Sequence, residues 1–208
     1  MSVRTAHPRL APGIDVEDFA AYRLRDAYQD YTTHVSPAQM AMSLASCSYI
    51  YWLCLTTDAR RVADFGSGFT SYVLREYARN VYYDVEVISV DDSVEWLGWT
   101  AGFLSRHGFD ETGLVGWSTV KADPPKDLDL IVYDFSSGPV RDDHFGFALD
   151  CLGPTGVAVF DDAQHVGHQE RMRAECVARR YDLFDLGEWT KDESGRFAAL
   201  AVKGSWSR

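Results

Sequence analysis

The segment of residues 61–72, RVADFGSGFTSY, constrains the fold more than any other part of the sequence. It predicts a short apolar strand that ends near a carboxylate, Asp64, followed by a glycine turn and the start of a helix. Gly66 and Gly68 suit a sharp turn or a close approach of the backbone to a ligand, because glycine has no Cβ. The free N–H groups of such a turn and of the helix N-terminus favour an anionic ligand. Ordinary strand-to-helix turns show the same pattern, so other segments must support the interpretation.

Three later apolar runs also end in, or just before, acidic residues. These are Val85–Val90 before Asp91 and Asp92, Asp129–Val132 before Asp134, and Gly156–Phe160 before Asp161 and Asp162. Asp91 lies 23 residues beyond Gly68, a spacing that suits an acid accepting hydrogen bonds from a ribose. In an open α/β sheet the carboxyl ends of the strands line the ligand crevice. We therefore expect a ligand cleft that is lined by these carboxylates.

Helical patterns alternate with the apolar runs, and several begin at residues that favour helix starts. The predicted helices run from Asp15 to about Tyr31, from Ser36-Pro37 to about Leu55, from Ser71 to about Arg79, from Val94 to His107, from about Arg141 to Leu152 and from Gly167 to Arg180. A weak third strand is predicted over Gly113–Val120, and a loop over residues 136–139. Alternating strands and helices predict an α/β, doubly wound, mostly parallel sheet with helices on both faces.

The C-terminal part of the chain predicts a different strand pairing. The last two strand-like runs, Tyr181–Leu186 and Phe197–Val202, are separated by about ten mostly polar residues without a helical pattern. Such a short connection joins antiparallel strands, because a parallel pair needs a longer crossover. We therefore expect an antiparallel pair at one edge of the sheet.

Composition and charge limit the possible partners. The chain has 208 residues, of which 46% are hydrophobic, enough for one domain with a full core. A formal net charge of −11 argues against a nucleic-acid partner, although it could attract a divalent cation. The four scattered cysteines form no CxxC pair and predict buried thiols. Without a signal-peptide pattern or a bilayer-spanning apolar run, the sequence predicts a cytoplasmic location and no membrane partner.

The order of these motifs resembles that of the class I S-adenosylmethionine-dependent methyltransferases. The matching segments are DFGSG from Asp64 to Gly68, Asp91, LIVYDFSSG around Asp134, and GPTGVAVFDDAQH around Asp161 and Asp162. The resemblance covers residues 36–203 and implies a Rossmann-like seven-stranded sheet with an antiparallel C-terminal strand. It divides the chain into an N-terminal arm and helix, residues 1–35, as a possible lid, and a cofactor-binding domain over residues 36–208.

The resemblance also implies the cofactor-binding residues. Gly66 and Gly68 would let the backbone approach the methionine part of S-adenosylmethionine, with Ser67 and Thr70 in the same loop. Thr70 stands where many members carry a third glycine. Among the acidic residues, Asp64 would face the cofactor amino group through the turn or a water, and Asp91 would bind the ribose hydroxyls. The others implied are Asp92 for the ribose or as a helix cap, Asp123 near the adenine and Asp134 at the fourth strand. Trp96 would lie beside the adenine or belong to the core.

A narrower resemblance concerns metal-dependent O-methyltransferases of the catechol and macrocin types. It implies that Asp134, Asp161 and Asp162 bind a divalent cation such as Mg²⁺, which prefers carboxylate oxygens. Three clustered carboxylates would also repel one another without a cation. The alternative is that Asp134 faces the cofactor and that Asp161 and Asp162 cap the next loop.

A hydroxyl acceptor also needs a base. His165, three residues beyond Asp162, is the first candidate because imidazole titrates near neutral pH, and His168 and His144 are the alternatives. The sequence thus predicts a small-molecule O-methyltransferase. A metal-independent N- or C-methyltransferase, an NAD-binding oxidoreductase and a non-catalytic nucleotide-binding protein stay open. The aromatic residues of the first helix would suit either a lid or a homodimer.

Overall fold

A computed structural model describes residues 2–136 and 138–204 of the chain. Its central sheet has the strand order β3-β2-β1-β4-β5-β7-β6. The strands are β1 Arg61–Phe65, β2 Glu86–Asp91, β3 Leu114–Gly116, β4 Leu128–Tyr133, β5 Leu152–Phe160, β6 Tyr181–Asp185 and β7 Ala199–Lys203. Strand β7 is antiparallel to both β5 and β6, whereas the pairs among β1 to β5 are parallel. The seven-stranded mixed sheet predicted from the sequence is thereby confirmed for the described residues.

Helices cover both faces of this sheet. They are α1 Val3–Ala6, α2 Val16–His34, α3 Leu44–Thr57, α4 Phe69–Asn80, α5 Val94–Arg106, α6 Trp117–Ala122, α7 Gly138–Asp143, α8 Phe145–Asp150, α9 Val166–Arg179 and α10 Gly187–Thr190. Ser137 of the predicted loop and residues 205–208 of the predicted domain lie outside the described residues.

Two hydrophobic cores lie on opposite faces, because successive side chains of a strand point in opposite directions. Val62 and Leu130 pack into the core under α2, α3 and α4. Ala63 and Ile131, the next residue along each strand, pack into the core under α8 and α9. Burial on both faces explains why β1 and β4 are almost continuously apolar.

The N-terminal helix α2 begins where the sequence predicts. Asp15 caps it by accepting hydrogen bonds from the N–H groups of Glu17 and Asp18. Its buried residues Ala20 and Leu24 share the core of α3 and α4. The lid role of residues 1–35 stays a prediction, but their helix packs as an integral layer of the domain.

The predicted helix start at Ser36-Pro37 is wrong. Residues 37–41 form a turn, and α3 begins at Leu44, where the Ser43 hydroxyl accepts a hydrogen bond from the Ser46 N–H at 3.1 Å. The physical reason lies far along the chain. The Arg196 guanidinium binds three carbonyl oxygens of this segment, which a continuous helix would use internally.

Four other predicted boundaries also need correction. The third strand ends at Gly116, because Trp117 turns into α6 and packs on Phe135 with ring centroids 4.8 Å apart. The predicted helix from Arg141 to Leu152 is two short helices, α7 and α8, separated at His144. The connection between the last strands contains α10, whose Trp189 stacks on Tyr49. Helix α4 begins at Phe69, so Thr70 and Ser71 lie inside it.

The cysteine prediction is confirmed, since Cys47, Cys54, Cys151 and Cys176 are buried free thiols. Within the described residues, none of the helices combines the length and the hydropathy that crossing a bilayer requires.

Candidate active site

A cavity of about 380 Å³ opens at the carboxyl ends of the central strands. This volume lies within the range typical of small-molecule sites. Its walls come from the glycine turn after β1, the ends of β2, β4 and β5, Tyr31 of α2, residues 39–42 and Arg196. The sequence correctly predicted that acidic strand ends meet at one cleft, because Asp91, Asp134, Asp161 and Asp162 all line this cavity.

The glycine turn is fitted closely between β4 and α2. Gly66 has φ +100°, and a Cβ at this position would lie 2.1 Å from the carbonyl oxygen of Asp134. A Cβ on Gly68 would lie 2.8 Å from the Tyr31 hydroxyl oxygen. Only glycine leaves room at Gly66, so the turn presents bare backbone to the cavity, as a close-fitting ligand requires.

Asp64 was expected at the ligand cleft, but it does not line the cavity. Its carboxylate is fully buried behind the glycine turn, where it accepts hydrogen bonds from the hydroxyls of Thr70 at 3.1 Å, Ser71 at 2.6 Å and Ser89 at 2.5 Å. Burial raises the pKa of Asp64, and these hydroxyls and Arg75 oppose the rise. Asp64 therefore holds the start of α4 against β2 and has no access to a ligand in the cavity.

Asp91 does line the cavity, and it also fixes the turn. Its Oδ2 accepts hydrogen bonds from the Ser67 N–H at 2.9 Å and from the Ser67 hydroxyl at 3.1 Å, and its Oδ1 accepts one from the Ser93 N–H at 2.9 Å. Burial raises the pKa of Asp91. A carboxylate offers about four lone-pair sites, so one on Oδ1 stays free for a ligand hydroxyl. Trp96 closes this side by donating its indole N–H to the Ser67 carbonyl.

The structure does not bring Asp92 or Asp123 to the cavity. Asp92 is exposed, and Ser93 rather than Asp92 caps α5 by accepting a hydrogen bond from the Trp96 N–H. Asp123 is exposed at the end of α6. The third strand ends seven residues earlier, at Gly116, and α6 carries Asp123 away from the strand ends.

The carboxylates of Asp134, Asp161 and Asp162 converge, with ligand oxygens within 4.8 Å of one another. A guanidinium that the sequence did not predict in the site lies against two of them. Arg141 Nη2 donates to Asp134 Oδ1 at 2.6 Å, and Arg141 Nη1 donates to Asp162 Oδ2 at 2.6 Å. Asp161 has no ion pair with Arg141 among the described contacts.

The three carboxyl groups differ in their electrostatics. Burial raises the pKa of Asp134 and of Asp161, and repulsion from Asp162 adds to both effects, whereas Arg141 opposes them. Burial would also raise the pKa of Asp162, but hydrogen bonds from Gln164 and Arg141 lower it overall. Burial lowers the pKa of Arg141, yet its carboxylate neighbours outweigh this and raise it, so the guanidinium stays charged.

None of the described residues that line the cavity is a histidine. His165 is exposed at the start of α9, three residues beyond Asp162. His168 pairs with Asp142, and His144 donates its Nδ1–H to the Val140 carbonyl at 2.7 Å. The structure therefore does not place the predicted base in the cleft.

Sequence reasoning missed three side chains that shape the site, Tyr31, Arg141 and Arg196. Tyr31 is buried at the end of α2, beside the glycine turn. Arg196, between β6 and β7, holds the rim of residues 38–41 through three carbonyl oxygens. The one available signal was charge balance, since three clustered carboxylates call for a cation and Arg141 lies only seven residues beyond Asp134.

Comparisons with solved structures identify the fold. An O-methyltransferase from Bacillus cereus in complex with S-adenosylhomocysteine (SAH) aligns with a TM-score of 0.62 at 16% identity, over 97% of this chain and 95% of that one. The O-methyltransferase TomG from Streptomyces achromogenes, involved in tomaymycin synthesis and solved with SAM, aligns with 0.64 at 20% identity, over 91% and 95%. A SAH-bound methyltransferase from Podospora anserina aligns with 0.64 at 15% identity, over 90% and 94%.

The chain has the class I methyltransferase fold. No protein-family model matches the sequence, and the search of curated proteins found no match. The structural likeness, at these identities, concerns the fold, so the activity has to be argued from the site.

The resemblance to metal-dependent O-methyltransferases predicts Mg²⁺ at the acidic cluster, so the fit of the cluster to a metal ion has to be tested. The spacing of the three carboxylates suits a cation. The guanidinium of Arg141, however, already engages Asp134 and Asp162. As the side chains stand, the donor set does not fit a divalent metal.

Proposed function

We propose that this protein transfers the methyl group of S-adenosylmethionine to a hydroxyl group of a small molecule. The observation that carries the proposal is the shared cavity, in which the glycine turn, Asp91 and the acidic ends of β4 and β5 face one another. Compared proteins of the same fold were solved with SAM or SAH.

The residues present fit this cofactor. Bare backbone at Gly66 and Gly68 leaves room for the amino-acid part, and the free site on Asp91 Oδ1 would accept one ribose hydroxyl. Trp96 flanks the same side of the cavity. The bound cofactor supplies an activated methyl group on a sulfonium, so the protein has to provide alignment and exclusion of water.

In the transfer, a bond forms between the acceptor oxygen and the methyl carbon as the carbon–sulfur bond breaks, and the hydroxyl proton leaves to a nearby base or to water. Tyr31, residues 39–41 and Arg196 line the cavity and would hold the acceptor in line. The role of His165 as the base stays a prediction, because its side chain does not line the cavity.

A small acceptor is favoured by the dimensions and the charge of the protein. The cavity of about 380 Å³ has to hold the cofactor as well, which leaves space only for a compact acceptor, and the net charge of −11 disfavours nucleic acid. The spacing of Asp134, Asp161 and Asp162 alone would suit a metal-assisted version of the same reaction, but Arg141 already pairs with two of these carboxylates, so that version is not proposed.

The test is calorimetric binding of SAM and SAH, followed by transfer of radiolabelled methyl from SAM to a panel of phenols, catechols and sugar hydroxyls. We expect binding of both ligands and labelling of at least one hydroxylated class. Labelling confined to amines would contradict the hydroxyl acceptor, and absence of binding would contradict the whole proposal.

A further inference from the structure

The acidic cluster contains its own cation. The Arg141 guanidinium joins the carboxylate at the end of β4, Asp134, to the carboxylate at the end of β5, Asp162, through two charge-assisted hydrogen bonds of 2.6 Å. Asp134 and Asp162 are two of the three residues whose carboxylates lie close enough together to hold a divalent metal. The position of Arg141 therefore decides which cation the cluster holds.

Arg141 is built into this position. Its Nε donates to the Phe135 carbonyl at 3.2 Å, and its Nη2 donates a second hydrogen bond to the Ser136 carbonyl at 2.9 Å. The Tyr133 hydroxyl fixes its backbone by donating to the Arg141 carbonyl at 2.7 Å. The side chain is also buried. An arginine held at both ends in this way is not a surface side chain that would swing aside for an ion.

A divalent metal at the same place would meet two obstacles. Mg²⁺ needs oxygen ligands arranged around it in a near-octahedral shell, and the Arg141 guanidinium already holds one oxygen of Asp134 and one of Asp162 in a different geometry. The buried positive charge of Arg141 would also repel the ion, in surroundings that screen charge poorly. Releasing Arg141 would leave the carbonyl groups of Phe135 and Ser136 without their donor.

We propose that the Arg141 guanidinium is the resident cation of this cluster, so that the protein uses no divalent metal, and that it donates its remaining hydrogen bond to the acceptor oxygen. Four of its five N–H hydrogens are used by the contacts above. The fifth, on Nη1, has no partner within residues 2–136 and 138–204, and Arg141 lines the cavity. A guanidinium at that point stabilises negative charge developing on an acceptor hydroxyl, the task that a metal would perform.

The metal part of this inference stands on geometry alone, whereas the acceptor part rests on the proposed function. The first test measures Mn²⁺, as a spectroscopic probe for the Mg²⁺ site, by electron paramagnetic resonance on the wild-type protein. We expect no stoichiometric Mn²⁺ binding, and SAH affinity that a chelator does not change. One tightly bound Mn²⁺ that is lost in Asp162→Asn would overturn the proposal.

A set of variants tests the role of Arg141 directly. Arg141→Met removes the charge but keeps much of the apolar stem, and it should gain Mn²⁺ binding because three carboxylates lose their cation. Asp162→Asn in the Arg141→Met background should remove the gained site. Arg171→Met, on the exposed face of α9, is the matched control and should behave as wild type. A folded Arg141→Met protein that gains no Mn²⁺ would overturn the claim that Arg141 excludes the metal.

Activity separates this inference from the proposed function. With an acceptor identified, the wild-type rate should be unchanged by a chelator, and Arg141→Lys should lower kcat more than it raises KM for S-adenosylmethionine, because it loses the planar fork. A fall in kcat that is matched by an equal-fold rise in KM would indicate a merely structural role of Arg141. If no acceptor is methylated while the Mn²⁺ results hold, the proposed function fails and the assignment of the resident cation stands.

Discussion

Gly66 lies so close to Asp134 that a Cβ on the glycine would come within 2.1 Å of the aspartate carbonyl oxygen. The two residues also share the junction of β1 and β4, because the Asp134 N–H donates to the Phe65 carbonyl at 2.8 Å. The glycine turn and the acidic end of β4 are therefore one packed unit. A change in the turn must be transmitted to the carboxylates across the cavity.

Gly66→Ala should consequently damage both stability and binding. The methyl group would clash with backbone, and φ +100° is unfavourable for alanine, so we expect the free energy of unfolding to fall by about 2–4 kcal/mol. Denaturant unfolding and SAH calorimetry measure the two effects. Gly102→Ala in α5 is the control. Its Cβ meets no atom within 4 Å, and it should stabilise the helix by about 0.5–1 kcal/mol. A Gly66→Ala protein as stable as wild type would contradict the packing argument.

Asp91 and its neighbour Asp92 allow a controlled test of cofactor binding, with Asp91 as the test position and Asp92 as the control. Asp91 holds Ser67 and lines the cavity, so Asp91→Ala should weaken SAH binding by at least about tenfold, or about 1.4 kcal/mol. Asp92 is exposed outside the cavity, and Asp92→Ala should change the affinity by less than about twofold. Isothermal calorimetry on both variants checks this. Equal losses in the two proteins would indicate that Asp91 has no direct contact with the ligand.

The sheet and the position of the cleft could be predicted from the sequence because both follow from local patterns. Buried strands are continuous apolar runs, and the ends of parallel strands converge at one edge. Asp91 and Asp161 come directly at the ends of such strands, and both line the cavity.

The orientation of Asp64 could not be predicted from its place in the motif. Strand β1 continues to Phe65, so the alternation of side chains turns Asp64 away from the cleft and toward Ser89, its partner in register on β2. A weak signal existed, because hydroxyls at Thr70, Ser71 and Ser89 are unusual in otherwise apolar elements and suit a buried carboxylate.

The positions of Arg141 and Arg196 at the site could not be predicted from the sequence for a different reason. Arg141 reaches the site only because α7 is a short helix that begins before it, and the sequence predicted a longer helix starting at Arg141. Arg196 acts on carbonyl groups more than 150 residues away in the chain, at separations of 155 to 158. Such contacts depend on tertiary packing and leave no periodic trace.

The clamp formed by Arg196 gives a prediction about the rim of the cleft. Arg196→Met removes hydrogen bonds to the carbonyls of Ala38, Gln39 and Ala41, so we expect faster amide hydrogen exchange in residues 36–43 than in wild type. The free energy of unfolding should fall by about 1–3 kcal/mol. Exchange followed by mass spectrometry localises the change, with Arg171→Met as the exposed control. Unchanged exchange in this segment would show that other contacts hold the rim.

Asp64 links the stability of the fold to pH. Burial raises its pKa in the folded state, even though three hydroxyls and Arg75 favour the ionised form. A carboxyl group with a raised pKa binds its proton more tightly in the folded protein than in the unfolded chain. Its contribution to stability is therefore complete below the unfolded pKa of about 3.9 and is lost as pH rises through the folded pKa.

Two variants around Asp64 should consequently show opposite trends with pH. Asp64→Asn cannot titrate, and it costs about 1–3 kcal/mol at acid pH because its amide keeps one acceptor oxygen and places an N–H₂ donor against hydroxyls that donate to the carboxyl group. That cost should shrink as pH rises through the folded pKa of Asp64, because the wild-type protein then bears a buried charge. Ser71→Ala removes a donor that favours the ionised carboxylate, so its cost should grow over the same range. Urea unfolding at a series of pH values measures both, and parallel trends would mean that burial does not raise the pKa of Asp64.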